Sequence, residues 1–177
     1  KLVTGVQTCA LPISIHDTRM GLDILSIRPH IDTMHSKRGT PIDRIIFNGI
    51  TMRNVLQPFF IWAGNELPES GYAGHIRDLL FRDIYADATA GSFIGANIPG
   101  AIADITFEQV VLRRRDAHPE LPPDGDVFPS HWGGARNSGA LLRVEHAERL
   151  ALRHFQATSE RPDEEVLLLR NSTLLES

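Results

Sequence analysis

Four stretches of the chain share one pattern, apolar-x-apolar-x-x-apolar-x-apolar. They are Ile45-Phe47-Ile50-Met52, Leu79-Phe81-Ile84-Ala86, Ile105-Phe107-Val110-Leu112 and Leu150-Leu152-Phe155-Ala157. Within each half the apolar residues alternate, which is the period of a strand with one buried face. The intervening pairs, Asn48-Gly49, Arg82-Asp83, Glu108-Gln109 and Arg153-His154, shift the buried face by one residue, as a bend between two short strands does. β-Branched and aromatic content favours strand over helix. A further short apolar strand follows each stretch, in Phe59-Phe60-Ile61, Ser92-Phe93-Ile94, Ala140-Leu141-Leu142 and Val166-Leu167-Leu168-Leu169. The repeating unit is therefore about three strands.

Equivalent positions Ile45, Leu79, Ile105, Leu150 and Leu175 are separated by 34, 26, 45 and 25 residues, so the base repeat is 25 or 26 with two insertions. Repeats of this length built from short strands predict an all-β chain wound as a single-stranded parallel β-helix of about five coils. One coil cannot bury its inward side chains alone, whereas coils stacked roughly 4.8 Å apart pair their strands and share a core. The insertions, Gly64 to Gly74 and Asp116 to Gly139, are rich in turn formers and are expected to leave at corners. No second domain or linker is visible. Leu175 matches Leu150 at the first strand of a repeat, so the repeat that it opens is incomplete at Ser177; an open edge of this kind predicts a chain prone to associate.

Composition narrows the function. The chain has 177 residues, 42% apolar and 23% charged, with a net charge of −4. Apolar runs such as Val55 to Ala63 are far short of the roughly 20 residues of a membrane-spanning helix, so no membrane partner is expected. Arg113-Arg114-Arg115 is followed at once by Asp116, which leaves no basic footprint for nucleic acid. Cys9 is the single cysteine and excludes an internal disulfide framework.

Val3 to Ile13 resembles the in-frame translation of a sequencing-library adapter. Residues 1–13 are therefore expected to be foreign to the protein, with residues 14–177 as the β-helix and its upstream part missing. Without residues 1–13 the chain has no cysteine, its charge moves from −4 to −5 with the loss of Lys1, and Lys37 is its only lysine.

Ile42-Asp43-Arg44-Ile45-Ile46-Phe47-Asn48-Gly49-Ile50-Thr51-Met52-Arg53-Asn54-Val55-Leu56-Gln57-Pro58-Phe59-Phe60-Ile61 resembles the rungs of bacterial polygalacturonase-like enzymes of glycoside hydrolase family twenty-eight. Ile61-Trp62-Ala63-Gly64-Asn65, Ile98 to Glu108 and Gly139 to Val144 are similar to other segments of that family, and the likeness covers most of residues 14–175. It implies a right-handed β-helix that hydrolyses pectin or a related polysaccharide with inversion. Inversion needs an acid and a base carboxyl about 6.5–9.5 Å apart. The family carries these groups in Asn-Thr-Asp, Asp-Asp and Gly-His-Gly motifs, none of which occurs in this sequence, so the resemblance places them upstream and gives this chain no catalytic residue of its own. It further implies no cofactor, a polysaccharide or oligosaccharide as the partner, a secreted or periplasmic location and a monomeric parent protein.

The family's Arg-Ile-Lys motif, which grips a substrate carboxylate, aligns with Gly21-Leu22-Asp23-Ile24-Leu25-Ser26. Asp23 and Leu25 stand at its cationic positions, so the substrate is expected to be a neutral or differently charged glycan, or the grip to come from nearby Arg28, Lys37 and Arg38. A solvated charged loop is the plainer reading of those three. Trp62 and Trp132 are candidate sugar-stacking residues, set against loop anchoring or core capping. A polysaccharide lyase on the same fold and a non-catalytic glycan-binding or adhesion module remain alternatives. The eight histidines lack the spacing of a zinc site. Asp83 with Asp87 and Asp124 with Asp126 read as solvated turns, and Ser92 as a strand-entry residue without nucleophile-elbow spacing.

Overall fold

The polar pairs mark real bends. Gly49, Asp83, Gln109 and His154, the second residue of each pair, all adopt left-handed backbone conformations, with φ of 69°, 52°, 55° and 49°. They stack on one another in the computed structural model, which describes residues 12–28, 40–65, 74–96, 98–116 and 140–175. A left-handed residue turns the chain sharply and resets the strand alternation. Inward positions accordingly run Leu79 and Phe81 before Asp83, then Ile84 and Ala86 after it. A second column of left-handed residues, Arg44, Asp78, Asp104 and Arg149, carries no apolar signal and was not anticipated by the pattern. Aspartate suits these sites because its short side chain tolerates φ > 0 better than most.

The chain is all-β. Nine strands are present among the described residues and no helix: β1 (Ile13–Arg28), β2 (Ile42–Asn65), β3 (Ile76–Ala88), β4 (Ser92–Ala96), β5 (Ile102–Arg114), β6 (Ala140–Glu145), β7 (Ala147–Arg153), β8 (Gln156–Ser159) and β9 (Glu165–Arg170). They form one curled sheet in which every pair is parallel. β2 is the hub. Its first part pairs with β3, its last part with β4, and β1 runs along its other side from Ile50 to Asn65.

Three tracts of the sheet follow from the bends. The first holds residues 42–48, 76–82, 102–108 and 147–153; the second holds 13–18, 50–55, 84–88, 110–114 and 156–159; the third holds 22–28, 59–65, 92–96, 140–145 and 165–170. The expected equivalence of Ile45, Leu79, Ile105 and Leu150 appears as one continuous file of paired residues. At the fifth position the partner of Leu150 is Leu174, one residue before the expected Leu175. The expected equivalence of Leu175 is therefore corrected by one residue: Leu150 N–H donates to the Thr173 carbonyl at 2.9 Å and Leu175 N–H to the Leu150 carbonyl at 2.7 Å, the bonding of a parallel pair at Leu174. Most of Gly64 to Gly74 and Asp116 to Gly139 lies outside the described residues, as do residues 1–11.

Inward residues of successive strands share the core. Ile50, Met52, Phe59, Ile61, Leu79, Phe81, Ile94, Ile105, Phe107, Val110 and Val144 are all buried in it. Phenylalanine forms its centre. The Phe47 and Phe81 rings stack at 5.0 Å, Phe81 and Phe107 at 4.8 Å, and Phe59 meets both Phe81 and Phe107 edge-on at 5.3 Å.

Candidate functional site

The third tract buries side chains on both of its faces. Phe59, Ile61 and Ala63 point into the main core, while the alternate residues Phe60 and Trp62 join Phe93 in a separate cluster on the other face, flanked by Met20 and Leu25. Two files cross that outer face. One runs Asp23, Phe60, Phe93, Arg143, Leu168, and the other Leu25, Trp62, Gly95, Glu145, Arg170. Two candidate site residues, Asp23 and Trp62, thus lie on one face with their partners Phe60 and Leu25 between them. Arg28 ends β1 at the edge of the same tract, opposite Asn65. Lys37, Arg38 and Trp132 lie outside the described residues.

The aromatic rings lie flat against the sheet. Trp62 covers Gly64, where an added Cβ would stand 2.7 Å from the indole, and Phe93 covers Gly95 in the same way. Glycine at these positions provides the space for the rings. Phe60 and Phe93 stack at 5.8 Å, and Trp62 meets Phe93 at 6.0 Å. Trp62 is only 9% exposed, so in this structure its ring acts as packing. The guanidinium of Arg143 sits over the Phe93 ring, 5.9 Å from its centroid. Its Nε donates to Glu145 Oε1 at 2.9 Å, and Arg170 approaches the same oxygen at 3.7 Å.

At the other end of the first file stands Asp23. Its side chain keeps solvent contact, but its apolar surroundings disfavour the charged form and push its pKa above the ordinary carboxylate value. The folded state therefore holds the Asp23 proton more tightly than the unfolded chain does. The charged carboxylate opposes folding at neutral pH, and this penalty fades as pH falls through the raised pKa. Asp23→Asn is expected to raise the melting temperature slightly at pH 7, with the difference from the parent chain shrinking toward pH 4. A pH series of thermal melts in which Asp23→Asn is less stable at pH 7 contradicts this. Asp104 behaves oppositely. Hydrogen bonds from Arg149, Nε to Oδ1 and Nη2 to Oδ2 at 2.6 Å each, hold its pKa low, so its stabilising contribution is present at neutral pH and lost on acidification.

Asp23 and the nearest carboxylate along this face, Glu145, are three strands apart. At ~4.8 Å per strand this is about 14 Å, beyond the ~6.5–9.5 Å of an inverting pair. This face does not present a carboxylate pair at that spacing among the described residues.

The three consecutive arginines are each committed to carboxylates. Arg113 reaches Glu160 at 3.4 Å, Arg114 pairs with Glu164, and Arg115 Nη2 lies 2.5 Å from Asp87 Oδ2. Each charge of this run is thus offset by a carboxylate among the described residues. Asp87 corrects the expectation of a solvated turn: it is 5% exposed within β3, held there because Arg115 from the adjacent pass supplies its counter-charge. Asp83 does sit at an exposed bend, and Ser92 opens β4 as expected, fully buried. A shallow open depression beside β1 is lined by residues that include Ser14, His16, Asp17, Arg53 and Asn54; within it Asn54 Nδ2 donates to Asp17 Oδ1 at 3.1 Å, and His16 Nδ1 lies 2.9 Å from Asp17 Oδ2. Among the described residues no three histidine, cysteine or acidic side chains converge as metal ligands.

No known protein family, curated protein or solved structure matches the chain.

Phe60, Phe93, Arg143 and Glu145 escaped the sequence reading. In Phe59 to Ala63 both faces are buried, so the run loses the alternation that would separate inward from outward residues. The Arg143-Val144-Glu145 alternation carries the usable signal, a strand whose outer face presents two opposite charges.

Proposed function

We propose that this chain is a stretch of right-handed, single-stranded parallel β-helix of about five coils, similar to the C-terminal coils of polygalacturonase-like glycoside hydrolases. Its role is to hold pectin or a related polysaccharide. The observation that carries the reading is β2: the segment most similar to a polygalacturonase rung forms one 24-residue pass, bent at Gly49 and Asn54 and paired parallel on both sides. The proposed contact surface is the rim of the third tract's outer face, Asp23 at one side and the Arg143–Glu145 pair at the other, while Phe60, Trp62 and Phe93 are buried between them as packing. Hydrolysis belongs to carboxylate motifs that this sequence does not contain. In a whole enzyme of this type the chain contributes the wall of the groove, acting outside the cell or in the periplasm.

A second reading is favoured by the wide separation of Asp23 and Glu145: a non-catalytic glycan-binding module, in which no pair is needed. Titration calorimetry of the chain with oligogalacturonides tests the shared part of both. Saturable binding is expected, weakened several-fold by Asp23→Ala and by Arg143→Ala, with the circular dichroism spectrum retained. Absence of binding to charged and neutral pectic oligosaccharides alike refutes the glycan reading. Calcium-dependent release of an unsaturated product would assign the chain to the lyases instead.

A further inference from the structure

Asn48 is the only asparagine of the sequence that is followed by glycine. The pair lies at the bend between the first two tracts, where the ladder joins Asn48 to Arg82 and Ile50 to Ile84 and the backbone turns at Gly49 with φ of 69°. Shape alone does not demand glycine there. Asp83 and Gln109 hold the same left-handed position in the next two passes, and a Cβ added at Gly49 would meet nothing within 4 Å. What glycine leaves bare is its own amide nitrogen, which no side chain of its own shields from the side chain of Asn48.

Asn48 is exposed, and its Oδ1 accepts a hydrogen bond from Arg82 Nε at 2.9 Å. A cationic donor on this carbonyl oxygen draws electron density from Cγ and stabilises the negative charge that builds on the oxygen when a nucleophile adds. Among the described residues nothing accepts from Asn48 Nδ2, the nitrogen that has to leave. Asn54 offers the contrast. Its Nδ2 is held by Asp17 Oδ1 at 3.1 Å, and the residue that follows it is β-branched Val55. Asn171 is exposed but is followed by Ser172.

We infer that Asn48 is a site of spontaneous deamidation in the folded chain, with the Gly49 amide as nucleophile and Arg82 as the group that promotes the reaction. The Gly49 nitrogen gives its proton to the solvent and bonds to Asn48 Cγ. The Cγ–Nδ2 bond breaks, and Nδ2 takes up a proton and leaves as ammonia, closing a succinimide ring. Water then opens the ring. Addition at Cγ restores the main chain with aspartate at position 48, and addition at the α-carbonyl carbon leaves isoaspartate, with the main chain routed through Cγ. Water is the only co-reactant.

The two products meet the fold differently. On the outer face of the first tract, position 48 is followed in one file by Arg82, Glu108 and Arg153. Aspartate extends this alternation of charge and faces Arg82. Isoaspartate adds a main-chain carbon just ahead of the bend and disturbs the pairing of β2 with β3. The inference is independent of any glycan.

Incubation of the full chain in native, mildly alkaline buffer tests it, read by peptide mapping with mass spectrometry and by enzymatic methylation of isoaspartate. Conversion at Asn48 is expected to run several-fold faster than at Asn54 or Asn171 and to give both products. Gly49→Gln places at this bend the residue that Gln109 already carries at the equivalent one. It is expected to keep the circular dichroism spectrum and to lose most of the conversion. Arg82→Met is expected to slow conversion several-fold in native buffer and to leave it unchanged in urea, where residue 82 no longer stands beside residue 48. A folded parent chain in which Asn48 reacts no faster than Asn171, or a Gly49→Gln chain that converts at the parent rate, overturns the inference. An Arg82→Met chain that reacts as fast as the parent in native buffer removes Arg82 from it.

Discussion

Replacing Phe81 with alanine is expected to destabilise the chain by about 3–5 kcal/mol, the cost of deleting a fully buried aromatic ring. Phe81 is 0% exposed, stacked between Phe47 and Phe107 and edge-on to Phe59. Its loss removes ring contacts to the passes on both sides at once, leaving the Phe59–Phe107 edge contact as the aromatic link across that level. Phe155→Ala is the control. Phe155 is partly exposed and meets Phe107 alone, at 6.0 Å, so its truncation is expected to cost clearly less. Urea unfolding with an unchanged m-value measures both. Equal losses for the two variants would mean that ring burial, and the coupling between passes with it, is not what holds the middle of the stack.

Glu164→Ala is expected to have a comparable effect for a different reason. The Arg114 side chain is 3% exposed and that of Glu164 7%, so their ion pair is buried. Ser159 Oγ donates to the second carboxylate oxygen at 2.6 Å and accepts from the Arg161 amide at 3.0 Å, which satisfies the oxygen facing away from the guanidinium. Removing the carboxylate alone leaves a cation inside the protein, at a cost of about 3–5 kcal/mol. Replacing both partners together, as Arg114→Met with Glu164→Leu, takes away charge and counter-charge at once and is expected to restore most of the loss. A double-mutant cycle by chemical denaturation reads the coupling. The Asp104–Arg149 pair is far more exposed, at 42% and 46%, and its smaller contribution is expected to fade with added salt, whereas that of Arg114–Glu164 persists. Additive effects at Arg114 and Glu164 would contradict the argument.

Much of the fold was legible because two codes agree in the repeats. Alternation marks the strands, and a polar pair marks each bend, so Ile45, Leu79, Ile105 and Leu150 align before any coordinate is consulted. The bend at Arg44, Asp78, Asp104 and Arg149 was not legible, since it falls before the alternating run and is made by residues that read as ordinary surface. Parallel pairing itself follows from repeat length and burial. The candidate site was legible only at Asp23 and Trp62. Their proximity depends on β1 lying beside the last part of β2, a register that depends on positions more than thirty residues apart. Asp87 was misread for a related reason: its partner Arg115 lies a full pass away, and nothing local announces a buried ion pair.

The register of β3 on β5 has a further consequence for how such a chain changes over generations. Residues 76–101 comprise 26 positions that begin opposite Ile102 and return the backbone to the same place one layer on. An in-frame duplication of this segment would add a layer whose inward residues meet their own copies, Phe81 on Phe81 and Ile84 on Ile84, before reaching Phe107 and Val110. Whole-layer gain or loss leaves each remaining layer with apolar neighbours, whereas an insertion of one residue within a tract turns its buried side chains to solvent. Length in this architecture is inherited in steps, and the tolerated steps are set by the number of residues it takes to come round once.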